Sequence, residues 1–148
     1  MSDVRALYQA VIVDHDRAPR NLGPLADATA HATVDNPLCG DVVTVHLRLD
    51  ADGRVGGLGF EARGCALCRA AASIMTERVR GLADDEVRAL AARFASYVRA
   101  APTEEPPEPD DAAGLGELTA FAGVRAFRSR QACATLPFDA LLAALGPA

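Results

Sequence analysis

The sequence predicts an α+β fold, in which a three-stranded antiparallel sheet has its helices packed on one face. Three consecutive segments alternate apolar and polar residues with the period of two that a half-buried strand requires. Segments before and after them repeat apolar residues at helical spacing instead. With 148 residues, half of them apolar, the chain is long enough for a single domain, 1–148, with its own core.

The first helix is predicted from apolar residues at the spacing i, i+3, i+4 and i+7. Asp3 can cap its N-terminus, and we expect the helix to end near Asp16. Residues 17–24 contain two prolines, an asparagine and a glycine, so they are predicted to form a loop.

The three strands are predicted at 30–36, 43–49 and 55–63. The second strand alternates most regularly, with its valines and leucines on one side and polar residues on the other. The Asp-Ala-Asp-Gly sequence at 50–53 is typical of a turn between antiparallel strands. We therefore expect the three strands to pair in chain order.

The helices that follow the sheet are also predicted by apolar spacing. Cys65 opens the first of them, and Gly81 provides a left-handed stop. The next begins after Leu82, with a cap and an acidic first turn, and carries apolar residues on one face as far as Val98. Prolines and acidic residues then interrupt all periodicity, so residues 100–113 are predicted to be a solvated, mobile insertion within the domain.

Two further helices complete the prediction. A short one is expected to pack Leu115, Leu118 and Phe121 and to stop at Gly123. The last contains the leucines near the C-terminus, and Pro137 either begins it or kinks it.

Composition excludes several classes of function. A net charge of -5 argues against a nucleic-acid or anionic membrane surface, because phosphate binding needs clustered positive charge. All 15 basic residues are arginine, which excludes lysine-dependent phosphate loops and lysine Schiff bases within the chain. The N-terminal residues lack the apolar core of a signal peptide, and no run is long enough to span a membrane. We therefore expect a cytoplasmic protein whose four cysteines serve metal or redox chemistry.

The turn at 36–41 places a thiol, Cys39, two residues from a carboxylate, Asp41. Its proline and glycine allow both side chains to point to one place. Cys65 and Cys133 lie at predicted element boundaries, so all four groups can converge as ligands for Zn²⁺. The spacing alone does not exclude the alternative, in which the cysteines are buried and inert.

A series of short motifs spans nearly the whole chain. They are Leu7-Tyr8, Asp14-His15, Pro19-Arg20-Asn21, Asn36-Pro37-Leu38-Cys39-Gly40-Asp41, Gly64-Cys65-Ala66, Ala72-Ser73 and Cys133-Ala134-Thr135-Leu136-Pro137. In this order they resemble the U-type iron-sulfur cluster assembly proteins, the IscU/SufU/NifU N-terminal family. The resemblance implies an α+β fold in which three cysteines and an aspartate meet at one exposed metal site.

Within that family, the residues here resemble the SufU type, which transfers sulfur with the help of zinc. The scaffold type has a lysine-containing chaperone motif and a histidine directly before the third cysteine, whereas this chain has no lysine and has Ala132 there. The SufU type has an insertion before its last segment, matched by 100–113, and an arginine matched by Arg130.

The resemblance implies a zinc-dependent sulfurtransferase that accepts persulfide sulfur from a SufS-type cysteine desulfurase and passes it to a downstream iron-sulfur assembly scaffold. It makes Cys39, Asp41, Cys65 and Cys133 the zinc ligands and Cys39 the sulfur acceptor. Three thiolates and a carboxylate leave about two surplus negative charges around Zn²⁺, which nearby donors must offset. Arg130 is the candidate for this role, and a solvated surface arginine is the alternative.

Other readings remain open. The same cysteines could carry a [2Fe-2S] or [4Fe-4S] cluster, which would make the protein an assembly scaffold. A closed structural zinc site is a third possibility. Cys68 stands where the family usually has a small hydroxyl residue, and it is interpreted as a buried apolar filler rather than as a spare ligand or a thiol that resolves a persulfide. Arg63 is a second candidate for the charge-balancing role.

Overall fold

The computed structural model describes residues 3–108 and 114–147. Its elements confirm the predicted α+β fold, with one helix before the sheet and the others after it. In chain order they are α1 (Asp3–Arg17), β1 (Ala30–Asn36), β2 (Asp41–Leu49), β3 (Val55–Arg63), α2 (Ala66–Arg78), α3 (Asp84–Arg99), a 3₁₀ helix (Gly116–Ala126) and α4 (Arg128–Leu145).

The sheet is an antiparallel meander in the order β1-β2-β3. Val43 lies opposite Val34 and Ala62, and Val45 lies opposite Phe60. The inward-facing residues of β2 are fully buried while their neighbours are half-buried, as the period of two predicts. One face of the sheet therefore packs into the core, and the residues at the alternate positions lie on the face that is partly exposed to solvent.

Helices α2 and α4 cover the inner face of the sheet, with α4 against β1 and β2 and α2 against β3. Helix α3 packs on α4 and the 3₁₀ helix, and α1 packs on α2. Phe94 of α3 joins these layers, since its ring centroid lies 5.8 Å from that of Phe121 and 5.3 Å from that of Phe138. The three rings are all buried, and they form one continuous core with the valines of β2.

The C-terminal helices differ from the prediction in two places. The 3₁₀ helix runs to Ala126 and is not stopped at Gly123. Helix α4 starts at Arg128 and accommodates Pro137 in its interior, so Cys133 lies in its second turn and not at its start. Because proline has no N–H, the helical hydrogen bond to the carbonyl of Cys133 is not made.

Helix α2 ends at Arg78, three residues before Gly81, whose φ of 85° is left-handed as predicted.

The segment 100–113 follows α3, and residues 109–113 lie outside the described residues. Its described part contacts α1 through two hydrogen bonds. The Arg5 guanidinium donates to the carbonyl of Glu104 at 2.7 Å, and the Tyr8 hydroxyl donates to the carbonyl of Pro107 at 2.6 Å. Within the described ranges, no helix is both long and apolar enough to cross a membrane.

Candidate metal centre

The turn between β1 and β2 presents Cys39 to solvent. The carbonyl of Asn36 accepts hydrogen bonds from the backbone N–H groups of Cys39 and Gly40, at 3.3 and 2.8 Å. Gly40 has a φ of 76°, a left-handed conformation that glycine adopts at little cost. Cys39 is exposed, and the neighbouring Leu38 is 93% exposed, so this turn forms the outer rim of the site.

Asp41, the first residue of β2, is only 1% exposed. One of its carboxylate oxygens, Oδ1, accepts the backbone N–H of Cys65 at 3.0 Å, and the other, Oδ2, lies 3.7 Å from the Cys65 thiol. Cys65 is the N-cap residue of α2, so Asp41 satisfies a free N–H at the start of that helix from a different element. This bond fixes the start of α2 against the start of β2.

Gly64 makes this contact possible. It has a φ of 144°, and a Cβ atom added there would lie 1.9 Å from Oδ1 of Asp41 and 2.6 Å from its Cγ. Any side chain at this position would therefore displace the carboxylate. The sequence motif Gly-Cys is explained by this close approach, which sequence reasoning did not identify.

Cys133 completes the cluster from α4. Its side chain is 5% exposed, and its Sγ lies 3.8 Å from Sγ of Cys39. Potential ligand atoms of Cys39, Asp41 and Cys133 all lie within 4.8 Å of one another. The structure thus brings Cys39, Asp41 and Cys133 together as one possible ligand group, while Cys65, the fourth ligand proposed from the sequence, contacts Asp41 and is not a member of that group.

Burial and hydrogen bonding have opposite effects on the pKa of the Asp41 carboxyl group. Desolvation acts to raise the pKa of this carboxyl group, but hydrogen bonds from the Cys133 and Cys39 thiols and from Cys65 outweigh it, and the pKa is lowered. Desolvation, followed by the bond to Asp41, raises the pKa of the Cys133 thiol. In the absence of a cation, the cluster therefore keeps a carboxylate on Asp41 beside a protonated Cys133 thiol.

The donor set fits a zinc ion. Two sulfurs bound tetrahedrally at the usual zinc–sulfur length of about 2.3 Å lie about 3.8 Å apart, and a sulfur and a carboxylate oxygen lie about 3.6 Å apart. The corresponding separations here are 3.8 Å for Cys39 and Cys133 and 3.7 Å for Cys65 and Asp41. A cation would also replace thiol protons that now share one carboxylate.

The arginines considered for charge balance lie outside this cluster. Arg130 is exposed, and its guanidinium lies 4.6 Å from the ring centroid of Phe127. Among the described residues, no hydrogen bond or ion pair joins Arg130 or Arg63 to Asp41. Arg130 is one helical turn before Cys133, so its side chain begins on the same side of α4.

His15 supports the site's surroundings. Its imidazole is 1% exposed, with Nδ1 2.7 Å from the Ser73 hydroxyl and Nε2 3.0 Å from a Glu117 oxygen. Ser73 also accepts the backbone N–H of Arg20 at 2.8 Å. These bonds tie α1, the loop after it and α2 together. Potential ligand atoms of His15, Glu77 and Glu117 lie within 4.8 Å of one another, a grouping that the sequence did not suggest.

Comparisons with known proteins identify relatives along nearly the entire chain. The model of the NifU-like N-terminal domain matches residues 7–134. The iron-sulfur cluster assembly scaffold protein IscU of Streptococcus pyogenes serotype M1 is 34% identical over 145 residues, which cover 98% of this chain and 86% of that protein. The zinc-dependent sulfurtransferase SufU of Bacillus subtilis is 34% identical over 140 residues, 95% of this chain and 90% of that protein.

A solved structure agrees with these relatives. The crystal structure of the N-terminal part of a NifU-like protein from Brucella abortus superposes with a TM-score of 0.78 at 31% identity, covering 97% of this chain and 95% of that one. Membership of one protein family therefore explains the sequence motifs, the fold and the converging cysteines together. The chain belongs to the NifU-like N-terminal domain family, which includes the IscU and SufU proteins of iron-sulfur cluster assembly.

Proposed function

We propose that the protein is a zinc-dependent sulfurtransferase of the SufU type that works in the cytoplasm with a SufS-type cysteine desulfurase. The observation that carries the proposal is the convergence of Cys39, Cys65 and Cys133 on the buried carboxylate of Asp41, at separations that suit zinc. Zinc, when bound, would stabilise the three sulfurs as thiolates and so supply a nucleophile at neutral pH.

Cys39 is proposed as the sulfur acceptor. It is exposed and lies in a turn, with its sulfur 3.8 Å from that of Cys133, whereas Cys133 is buried within α4 and the backbone N–H of Cys65 is bonded to Asp41. Its thiolate would attack the outer sulfur of a persulfide on the desulfurase. The bond between that sulfur and the desulfurase cysteine breaks, Cys39 becomes the persulfide, and the desulfurase cysteine leaves as a thiolate. A downstream iron-sulfur assembly scaffold would then receive the sulfur.

Asp41 and Arg130 are proposed to support this transfer in different ways. Asp41 remains fixed by the N–H of Cys65, so it holds the site in shape while Cys39 moves. Arg130 starts one turn from Cys133, and its guanidinium makes a cation–π contact with the exposed Phe127, so it can turn towards the surplus negative charge at modest cost. Arg63 is the weaker candidate for balancing this charge, since it lies at the end of β3.

A cluster-assembly scaffold is the second candidate. A scaffold protein from Streptococcus pyogenes is as similar to this chain as the sulfurtransferase is, and three thiolates suit iron as well as zinc. In that case the iron-sulfur cluster would be cargo assembled on Cys39, Cys65 and Cys133. The absence of a histidine before Cys133 favours the sulfurtransferase.

Desulfurase turnover tests the proposal. Alanine produced from cysteine by a SufS-type desulfurase is measured with and without this protein, using zinc-loaded protein and protein treated with a chelator. We expect zinc-dependent stimulation and a colourless protein that retains zinc after aerobic purification. A brown, oxygen-labile protein that leaves turnover unchanged would contradict the sulfurtransferase proposal and support the scaffold.

A further inference from the structure

Helix α2 opens with the sequence Cys65-Ala66-Leu67-Cys68, two cysteines separated by two residues. Cys65 is the N-cap residue, with φ -78° and ψ 163°, and its side chain is exposed. Cys68 lies in the first turn of the helix and is only 1% exposed. The spacing is that of Cys-x-x-Cys redox motifs, and the first thiol lies at a helix N-terminus, as reactive cysteines often do.

The backbone allows these two cysteines to form a disulfide. The separation of two Cα atoms three residues apart is set by the two residues between them, which are helical here, and helix geometry makes it about 5 Å. This lies within the range of about 4.4–6.8 Å that a disulfide spans. The two residues between them are an alanine and a half-buried leucine, which place no bulky polar group in the way.

The surroundings of Cys68 favour an order of reaction in which Cys65 reacts first and Cys68 second. Among the described residues, its thiol has no hydrogen-bond partner, and it contacts the apolar core. Burial, followed by the nearby charges of Asp41 and Cys65, raises the pKa of the Cys68 thiol to about 12. Cys68 therefore stays protonated and shielded, and the exposed Cys65 is the one that a reagent meets first.

We propose that Cys65 and Cys68 form a dithiol that exchanges with disulfide substrates. The Cys65 thiolate attacks a disulfide RSSR, forming a mixed disulfide and releasing one RS⁻. The released RS⁻ takes the proton of Cys68 and becomes RSH, the Cys68 thiolate attacks the Cys65 sulfur, the bond to R breaks, and the second R leaves as RS⁻. The two protein thiols are oxidised to one disulfide, and RSSR is reduced to two thiols.

This couple goes beyond the proposed sulfur transfer and does not depend on it. In the oxidised form, Cys65 is no longer available as a thiolate ligand, so the disulfide and the metal compete for the same sulfur. A different disulfide, between Cys39 and Cys133, is the main alternative, since their sulfurs are 3.8 Å apart. A test must therefore identify which cysteines are linked.

Trypsin separates the alternatives because it cleaves after arginine. Cleavage after Arg63 and Arg69 places Cys65 and Cys68 together on the peptide 64–69, while Cys39 lies on 21–48 and Cys133 on 131–148. Full-length protein is reduced, freed of metal with a chelator, checked by circular dichroism and exposed to glutathione disulfide. Remaining thiols are then alkylated, and the peptides are analysed by mass spectrometry.

We expect the peptide 64–69 to lose two hydrogens and to resist alkylation. In Cys68→Ala, the glutathione adduct should instead remain on Cys65, at about ten times the wild-type level or more, because an intramolecular thiol outcompetes thiols in solution. Cys68→Ser is a second control if the alanine variant folds poorly. Equal adduct on Cys65 in wild type and variants, or a link from the peptide 64–69 to 21–48 or 131–148, would overturn the proposal.

Discussion

Replacing Gly64 by alanine tests whether Asp41 organises the metal centre. The new Cβ would lie 1.9 Å from Oδ1 of Asp41 and 3.1 Å from its Cα, so rotating the side chain alone cannot relieve the clash. Adopting a glycine-only backbone conformation costs about 1–3 kcal/mol, and losing a hydrogen bond to a charged group costs about 1.5–3 kcal/mol. We therefore expect Gly64→Ala to lower the free energy of unfolding by about 2.5–6 kcal/mol.

Gly81→Ala is the matched control. Gly81 also has a positive φ, 85°, but a Cβ there would meet no atom within 4 Å, so only backbone strain of about 1–2 kcal/mol applies. Urea unfolding of metal-free protein measures both variants, and competition with a chromogenic chelator measures zinc affinity. Only Gly64→Ala should weaken zinc binding. If the two variants lost equal stability and bound zinc equally well, the role assigned to the Gly64–Asp41 contact would be wrong.

Three further predictions concern the ligands, the insertion and pH. Cys68→Ser should keep one zinc per chain by elemental analysis, whereas Cys133→Ser should lose it; the opposite pattern would contradict the ligand assignment. Deleting residues 100–113 and joining the ends with a short flexible linker should leave the core folded, with about 1 kcal/mol lost for the Tyr8 bond; a collapsed thermal transition would show that the segment is part of the core. Because the pKa of Asp41 is lowered in the fold, its charge stabilises the protein above about pH 4 and stops doing so as pH falls through the folded pKa. The stability difference between wild type and Asp41→Asn, from urea unfolding without metal, should therefore be largest near pH 7 and shrink below about pH 4; a difference that grew on acidification would refute this.

The strands could be predicted from sequence because burial on one face imposes a strict alternation. In β2, Val43, Val45 and Leu47 are buried at every second position, and the observed limits of β1 and β3 match the predicted ones. The same reasoning located Cys65 at the start of α2, because a strand end, a glycine and a helical pattern follow one another. A local sequence pattern is sufficient to predict an element wherever burial recurs at regular intervals along the chain.

The position of Cys133 could not be obtained in this way. Pro137 was compatible with either a helix start or a kink, and the packing of α4 against β1 and β2 outweighs the missing hydrogen bond and carries the helix back to Arg128. The bond from Cys65 to Asp41 is a contact between residues 24 positions apart, and no local signal except Gly64 reflects it. Arg130 was chosen from the resemblance to the SufU type, which does not report that its guanidinium stacks on Phe127.

Mapping the persulfide tests whether Cys39 accepts sulfur at a zinc site. Zinc-loaded protein is incubated with a SufS-type desulfurase and cysteine, persulfides are trapped with an alkylating reagent, and tryptic peptides are analysed by mass spectrometry. Each proposed ligand thiol lies on a different peptide, 21–48, 64–69 or 131–148. We predict that the trapped sulfur appears mainly on 21–48 and disappears in Cys39→Ser. Sulfur found mainly on 64–69 or 131–148, or full acceptance by Cys39→Ser with zinc still bound, would contradict the account.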